Sequence, residues 1–523
     1  MIKEIEIRIA PDKKSCRKTI LRLLAEKIKI QPEKINDFTI LKRSVDARSR
    51  KARFSLLILV AVEEALPETT RYKLKLQDVT KKPEIVIVGF GPAGMFAALK
   101  AIELGYKPIV LEQGKAVRER RFDIAALNKK GIVNPESNYC FGEGGAGTFS
   151  DGKLYTRSNK RGSTKRILEI LVQFGANPEI LVDTHPHIGS NKLPIIVQTI
   201  RNAILESGGE IHFETKVTKL LLKDSSIKGV EIDSKKTLET KALLLATGHS
   251  ARSVYNFLSE QSIELEQKPF SLGFRIEHPQ TVIDKMQYRS DSRGADLPAA
   301  AYSFAVQADD RGVFSFCMCP GGIICPATTK DGELVVNGWS PSGRNSKYAN
   351  SGIVTEVTEQ DLEPFKDAGP LAGIELQKSI EQKAFQLGGG SQVAPAQRLK
   401  DFLEDKPSTS LPKCSYHPGV TPVNFKELFP AQIYQRLKEG LAQYVEKHPL
   451  YLDKEGVIIG VESRTSSPVR IPRDKESYMH PKTIGLFPVG EGAGFAGGIM
   501  SAAIDGENSA RAACRHLKNL RDT

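Results

Sequence analysis

The chain has 523 residues, of which 40% are hydrophobic and 26% charged. A chain of this length is too long for one compact core, and its proportions of hydrophobic and charged residues exclude a disordered or fibrous protein. Lysine and arginine outnumber aspartate and glutamate by 75 to 62, which gives a formal net charge of +13. Residues 1–80 hold 19 basic and 11 acidic residues, so most of the excess charge lies at one end.

The cysteine and apolar patterns bear on location. The seven cysteines include no CxxC pair, which argues against a disulfide framework and for a reducing compartment. The longest apolar run, at 56–62, is far shorter than the roughly 20 residues of a membrane span. The first residues alternate apolar and charged side chains, unlike a signal peptide. We therefore expect a cytoplasmic protein without membrane insertion.

Residues 1–80 predict a small α+β module. Alternation at 5–9 indicates a strand, and helical spacing at 15–30 indicates a helix. Two more strands, at 38–42 and 54–62, flank a basic connection at 42–51. This β-α-β-β order favours a ferredoxin-like module. Its basic connection either grips RNA or keeps the sheet edge from pairing with other chains, and the lack of interleaved aromatic residues favours the second interpretation.

From residue 83 the sequence pattern differs from that of the N-terminal module. Apolar strands alternate with helices, as in a parallel α/β sheet, and the last 40 residues return to this pattern. The intervening part is richer in proline and glycine turns. The sequence thus predicts a discontinuous α/β domain interrupted by an insertion.

The best-defined motif is a GxGxxG turn between an apolar strand at 84–88 and a helix. The first glycine permits a tight turn, the second lets the backbone approach a pyrophosphate, and the third lets the helix pack against the strand. The residues of this turn are Gly89, Gly91, Pro92, Ala93 and Gly94.

A second strand, at 108–112, ends on Glu112 and is followed by Gln113. At this distance from the turn a carboxylate accepts hydrogen bonds from an adenosine ribose and repels a 2′-phosphate. The two strands predict a dinucleotide site, but the motif alone does not separate FAD from NAD.

Two later strand ends narrow the choice. A strand at 243–245 runs into Ala246, Thr247 and Gly248, and another near the C-terminus ends in Gly490 and Glu491. With the GxGxxG turn, they resemble the FAD domain of the two-dinucleotide-binding flavoprotein superfamily, similar to glutathione-reductase-type FAD domains. This resemblance implies that Glu491 lies by the ribityl chain and pyrophosphate. It also implies that a helix starting near Gly497, Gly498 and Ile499 points its positive end at the flavin pyrimidine.

The segments 141–154 and 461–471 resemble a family of bacterial FAD-dependent dehydrogenases. The resemblance implies FAD contacts at Gly144, Gly145 and Val217, an oxidoreductase activity and a Rossmann-like three-layer FAD domain. We predict an N-terminal module at 1–80, an FAD domain at 82–265 and 455–523, and an inserted α+β substrate domain at 266–454. The chain lacks the CxxxxC pair of disulfide reductases and a second nicotinamide domain.

Part of the glycine-rich segment also matches Walker A spacing. Gly147, Gly152 and Lys153 form GxxxxGK, but Leu154 follows where a magnesium-binding hydroxyl is needed. We therefore expect the glycines to let the backbone lie against a flat ring instead.

Candidate catalytic groups are few. His185 and His187 are candidates for a substrate acid or base, or ordinary loop residues, and a metal site is not expected. Arg464 either binds a substrate carboxylate or the flavin surroundings, or forms a surface salt bridge. Cys317 and Cys319, on one predicted strand, are expected to share a face as buried, reduced core residues.

The sequence therefore predicts a flavoenzyme that transfers hydride between flavin N5 and a small organic substrate. FAD is expected to bind non-covalently, with NAD(P)H as a candidate transient co-substrate. Two alternatives remain open: an RNA-linked flavoenzyme that uses residues 1–80, and a non-catalytic flavin-bound redox sensor. The substrate and the oligomeric state stay open.

Overall fold

The structure is a computed structural model that describes residues 1–49, 51–68, 70–156 and 161–522. Arg50 of the predicted basic connection therefore lies outside the described residues. The N-terminal module comprises β1 (Ile2–Ile9), α1 (Arg17–Ile28), β2 (Ile35–Asp46) and β3 (Arg53–Val62). Its sheet is antiparallel with the order β1-β3-β2, and apolar side chains alternate toward the helix. This is the predicted β-α-β-β order.

The module docks on the rest of the chain through the basic end of β2. The Arg43 N–H donates to the carbonyl oxygen of Val182 at 2.7 Å, and the Thr184 N–H donates to the carbonyl oxygen of Arg43 at 2.9 Å. The Arg43 Nε donates to Asp183 Oδ1 at 2.7 Å. Part of the basic connection is thus used within the molecule.

A parallel α/β domain follows the module. Its first segment contains β4 (Glu84–Val88), α2 (Pro92–Glu103), β5 (Lys107–Leu111), α3 (Val117–Lys130), α4 (Thr164–Gln173), α5 (Leu193–Glu206), β6 (Glu210–His212), β7 (Val217–Lys223), β8 (Ser226–Ile232), β9 (Lys236–Glu239), β10 (Leu243–Leu245) and α6 (Arg252–Glu260).

The middle part of the chain is built on strands. It contains β11 (Glu266–Gln267), β12 (Phe270–Pro279), α7 (Gln280–Tyr288), β13 (Ala305–Ala308), β14 (Arg311–Cys319), β15 (Ile323–Pro326), β16 (Val336–Trp339), β17 (Tyr348–Val357), α8 (Ala372–Leu387), β18 (Ala394–Arg398), α9 (Leu399–Leu403), β19 (Val420–Pro422), α10 (Ala431–Lys447) and β20 (Val457–Glu462). The chain then ends with β21 (Val469–Arg470), β22 (Leu486–Pro488) and α11 (Ile499–Asp522).

The parallel sheet has the order β22-β10-β4-β5-β6, the doubly wound order of a Rossmann-like domain. Its strands are apolar on both faces, because each face is covered. Ile87 and Leu244 face the helices α2, α5 and α11, whereas Val86 and Leu243 face the β7–β9 meander and α6. The predicted α/β, Rossmann-like fold class is confirmed.

A seven-stranded sheet forms the middle part, with the order β13-β14-β17-β12-β20-β18-β19. The strand β20, which the prediction assigned to the second FAD-domain segment, pairs with β12 and β18 in this sheet. The chain returns to the parallel domain after β20, where β11 pairs with β21 at the neck between the two parts.

Helices α2 and α11 pack with their backbones in close approach. A Cβ at Gly506 of α11 would lie 2.1 Å from the carbonyl oxygen of Ala93 in α2. This crossing brings the N-termini of both helices to the same edge of the sheet. Among the described residues, no helix combines the length and apolarity needed to cross a membrane.

Candidate functional site

A cleft opens at the carboxyl ends of β4 and β10, the point where the connections of the parallel sheet reverse direction. Ligands of doubly wound sheets bind at such a point. One wall belongs to the parallel domain. The facing wall carries Phe316 and Cys317 from β14 of the seven-stranded sheet, and Asn337 and Gly338 from β16, which pairs with β15 in a separate two-stranded sheet.

Most of the predicted cofactor residues line this cleft. They come from six separate stretches of the chain that the fold brings together. The lining residues are Gly89, Gly91, Pro92, Ala93, Glu112, Gln113, Gly145, Val217, Ala246, Thr247, Gly248, Glu491, Gly497, Gly498 and Ile499.

Three predicted glycines lie directly behind the lining. A Cβ at Gly94 would come within 1.9 Å of the Gly89 carbonyl oxygen, so its role is close packing of helix on strand. The Gly144 N–H donates to the Phe90 carbonyl oxygen at 2.8 Å. The Gly490 N–H donates to Asp505 Oδ2 at 2.7 Å. These contacts fix the loops that form the wall.

The rim of the cleft suits an anionic ligand that lies against the backbone. Helix α2 begins after Gly91, and α11 begins at Ile499, so two helix N-termini with free N–H groups and partial positive charge meet at the cleft. A Cβ at Gly248, Gly497 or Gly498 would meet no protein atom within 4 Å. Open space therefore borders the backbone at these positions, as a dinucleotide cradle requires.

Glu112 is more heavily engaged than the sequence predicts. Its Oε2 accepts from the Phe90 N–H at 2.8 Å, and its Oε1 accepts from the N–H groups of Gly114 and Gly142, each at 2.9 Å. A carboxylate offers about four acceptor positions. About one position remains for a ribose hydroxyl, so Glu112 also anchors the loops around it.

His249, one residue beyond Gly248, joins the lining next to Glu491. Its Nε2 lies 3.0 Å from the Arg464 carbonyl oxygen, which assigns the ring proton to Nε2. Its Nδ1 is then an acceptor, 3.5 Å from Glu491 Oε1. Burial lowers the pKa of His249 to about 4, and burial raises the pKa of Glu491 to about 7. Near pH 7 the imidazole of His249 is therefore neutral, and the carboxyl group of Glu491 is partly protonated.

Arg464 lines the cleft, but its guanidinium faces away into a buried ion-pair cluster. The guanidinium donates to Glu381 Oε2 at 2.7 Å, to Glu333 Oε2 at 3.0 Å and to Thr329 Oγ1 at 2.6 Å. Arg252 contacts the same two glutamates. Arg464 is thus neither a surface salt bridge nor a free anion-binding group, because its charge is matched inside the protein.

The two predicted histidines lie away from the described lining of the cleft. His187 pairs with Lys153 in a short antiparallel bridge behind the glycine-rich segment, and its Nε2 lies 3.2 Å from the Ser342 carbonyl oxygen. The ring of His185 packs edge-on against Tyr155. Burial lowers the pKa of both imidazoles, so they are neutral loop residues at pH 7.

The prediction that Cys317 and Cys319 are both buried is wrong for Cys317, although both are free thiols and their sulfurs lie 3.5 and 3.9 Å from Lys153 Nζ. Pairing of β14 with β17 shifts register between Phe316 and Cys319, which is a β-bulge. Cys319 is buried, but Cys317 is partly exposed and lines the cleft. All seven cysteines are free thiols. In the described part of the chain, no cluster of His, Cys, Asp or Glu is arranged to hold a metal ion.

The fold and the cleft define a Rossmann-like dinucleotide-binding protein. Its sequence matches the family described as "FAD-dependent protein, C-terminal domain-like" at residues 269–465 and the family described as "Domain of unknown function (DUF8436)" at residues 1–61. An uncharacterized protein of Clostridium beijerinckii is 40% identical over 504 residues, which cover 92% of this chain and 93% of that protein. The chain belongs to the same protein family as that relative.

Solved structures show weaker likenesses. CtdE in complex with FAD is 12% identical, with 84% of this chain and 85% of that chain covered and a TM-score of 0.34. Halogenase PltM is 11% identical, with 84% and 70% covered and a TM-score of 0.38. Scores this low carry no conclusion about this chain. The FAD assignment rests on the family match and on the cleft, whose glycine rim and helix N-termini fit the cofactor.

Sequence reasoning missed His249, Cys317 and Lys153 as residues at or beside the cleft. His249 directly follows the strand end that was recognised, so its position was a usable signal. The position of Cys317 depends on a bulge, which the apolar pattern of β14 does not reveal.

Proposed function

We propose that this FAD-dependent protein is an oxidoreductase that transfers hydride between flavin N5 and a small organic substrate. The observation that carries the proposal is the meeting of the two helix N-termini and the glycine rim at the switch point of the parallel sheet. Bound FAD supplies the hydride chemistry itself, so the protein needs to bind, orient and manage one proton.

The binding residues are the predicted ones that line the cleft. The N–H groups at the start of α2, next to Gly91, would hold the pyrophosphate, and Glu112 would hold the ribose. The start of α11, next to Gly498, would stabilise negative charge on the reduced ring. No His or Cys belongs to the glycine and strand-end motifs themselves, which supports non-covalent binding.

The facing wall supports a substrate position between the two parts of the chain. Phe316 on β14 supplies an apolar surface, and Asn337 on β16 supplies a polar side chain. Glu491 is the candidate proton holder, because its raised pKa keeps part of it protonated at pH 7. His249 Nδ1, 3.5 Å from Glu491 Oε1, faces this carboxyl group as a hydrogen-bond acceptor.

Anaerobic photometry tests this proposal. The purified protein, supplied with FAD, is mixed with NADH, NADPH and a panel of hydroxy acids, amines and unsaturated lipids. We expect one reductant or substrate to bleach the flavin absorbance. A protein that takes up no FAD would contradict the cofactor assignment, whereas FAD retention without bleaching by any reductant would favour a redox sensor.

A further inference from the structure

The bulge in β14 turns Cys317 out of the strand. Phe316 pairs with Gly352 and Cys319 pairs with Asn350, so β14 has one residue more than β17 between these pairs. Cys317 has a φ of 47°, in the left-handed region that a side chain rarely occupies. Such strain persists only where the surroundings enforce it, and it often marks a functional position. The result is a thiol that faces the cleft.

Lys153 places a positive charge against this thiol. Its Nζ lies 3.5 Å from Cys317 Sγ and 3.9 Å from Cys319 Sγ, and it donates a hydrogen bond to the Met318 carbonyl oxygen. Asp151 is also 3.9 Å from this ammonium, but Asp151 is bound to Arg344 at 3.0 Å. The shortest of these distances to an ionisable partner joins Lys153 to Cys317.

A buried arginine holds the bulge from the other side. The Arg275 Nη1 and Nη2 donate to the Cys317 carbonyl oxygen at 3.3 and 3.2 Å. Its charge is matched by Glu462, whose Oε2 is 2.5 Å from Arg275 Nε. This pair fixes the backbone of Cys317, while Lys153 contacts its sulfur.

The charges around Cys317 favour its ionised form. A hydrogen bond from Cys319, followed by the positive charges of Lys153 and Arg275, holds the pKa of Cys317 well below its usual range. Burial and, to a smaller extent, Asp151 oppose this lowering of the pKa, and Glu462 and Glu491 are the other carboxyl groups that interact with the thiol. The hydrogen bond with Cys317, followed by burial, raises the pKa of Cys319 well above its usual range. Of these two adjacent sulfurs, Cys317 is therefore the one that ionises more readily.

We propose that Cys317 is a nucleophilic thiolate that undergoes exchange with small disulfides entering the cleft. The thiolate attacks one sulfur of the disulfide, and a bond between Cys317 Sγ and that sulfur forms as the substrate S–S bond breaks. The electron pair leaves with the second sulfur as a thiolate, which takes a proton from water. Lys153, 3.5 Å from Cys317 Sγ, stabilises the attacking thiolate. The exchange needs no further oxidant and does not depend on the proposed hydride transfer.

The experiment measures mixed-disulfide formation with 5,5′-dithiobis(2-nitrobenzoate) between pH 5 and 10. It uses the FAD-loaded protein with its cysteines freshly reduced. Released thiolate gives the rate, and peptide mass spectrometry assigns each modified cysteine. Cys140 is the internal control, because it lines the same cleft and its sulfur faces the Ala327 carbonyl oxygen. We expect Cys317 to react at least about 10-fold faster than Cys140 at pH 6.5, where an ordinary thiol of pKa about 8.5 is mostly protonated.

Lys153→Met removes the charge and keeps most of the stem. We expect it to slow the modification of Cys317 about 10-fold at pH 6.5 and much less at pH 9.5, where the thiol ionises without help. Lys153→Arg should retain the fast reaction, and Cys317→Ser should abolish it. If Lys153→Met does not fold, the wild-type pH profile decides. A Cys317 rate that rises about 10-fold per pH unit from 6 to 8, or that equals the Cys140 rate, would overturn the proposal.

Discussion

The two walls of the cleft are built by opposite means. The wall of the parallel domain consists of glycine turns and helix ends, so it offers backbone N–H groups and partial charges. Behind the facing wall lie full charges that are buried and matched: Arg464 and Arg252 against Glu381 and Glu333, and Arg275 against Glu462. The cofactor side therefore lets a ligand approach the backbone closely, whereas the other side holds its side chains in place through ion pairs.

We expect the strongest effect from substitutions in the glycine turn that forms the wall of the parallel domain. Gly91→Val combined with Gly94→Val should abolish FAD uptake, because a Cβ at Gly94 collides with the Gly89 carbonyl oxygen and a side chain at Gly91 enters the cleft. Flavin absorbance after incubation with FAD and desalting measures the loss. Gly343→Val is the matched control, since that exposed glycine has no heavy atom within 3.7 Å of its added Cβ. Full FAD retention by the double variant would refute the role of this wall.

We expect the second-strongest effect from a substitution in the buried ion-pair cluster behind the facing wall. Arg464→Ala leaves Glu381 and Glu333 with only Arg252, and removing one member of a buried ion pair costs about 3–5 kcal/mol. Thermal and denaturant unfolding of the FAD-loaded protein should both shift. Arg470→Ala is the control, because that half-exposed arginine pairs with Glu266 at 3.7 Å and such pairs contribute about 1 kcal/mol or less. Equal effects of the two substitutions would show that the cluster is not a structural element.

We expect a weaker effect from Glu491, which lines the cleft. Burial raises the pKa of Glu491 to about 7, so its carboxyl group is neutral below that pH and negative above it. A negative charge there repels the FAD pyrophosphate, so FAD affinity should fall about 5-fold as the pH rises from 6 to 8.5. Glu491→Gln should remove this pH dependence in fluorescence titrations of the FAD-free protein. An unchanged inflection in the variant would assign the titration to another group.

The smallest effect concerns the basic module rather than the cleft. Arg43→Ala removes the bond to Asp183 and should weaken docking of the module by about 1 kcal/mol. Limited proteolysis of the connection at 63–82 should become several-fold faster. Arg48→Ala, which affects only a pair with Asp46 inside the module, should not change the rate. Steeply salt-dependent RNA binding that is lost on deletion of residues 1–80 would support the RNA alternative instead.

The two walls also differ in how far the sequence predicts them. The glycine turn is a local pattern, and the resemblance to flavoprotein FAD domains added the two strand ends, so Gly91, Ala246 and Glu491 could be assigned to one site without coordinates. The predicted boundary at 455 placed β20 in the FAD domain, because a buried strand has the same apolar pattern in either sheet. Hydrophobic periodicity does not distinguish the two partners.

The facing wall and the ion pairs behind it depend on contacts between residues that are far apart in the sequence. Lys153 and Cys317 are separated by 164 positions, and neither residue type predicts the other. Arg464 was identified, but its partners Glu333 and Glu381 lie on other elements, so its buried pairing could not be inferred. The orientation of Cys317 depends on one extra residue in β14, which a periodic pattern cannot show.

The order of strands in the parallel sheet has a consequence for biosynthesis. β10 ends at Leu245, and its neighbour β22 begins only at Leu486, about 240 residues later. At about 5–20 residues per second, the ribosome takes on the order of 10–50 s to make that stretch. During this interval the edge of β10 is unpaired and the helix α11 does not yet exist. Cofactor capture should therefore follow completion of the chain, and nascent chains are the form most in need of a chaperone.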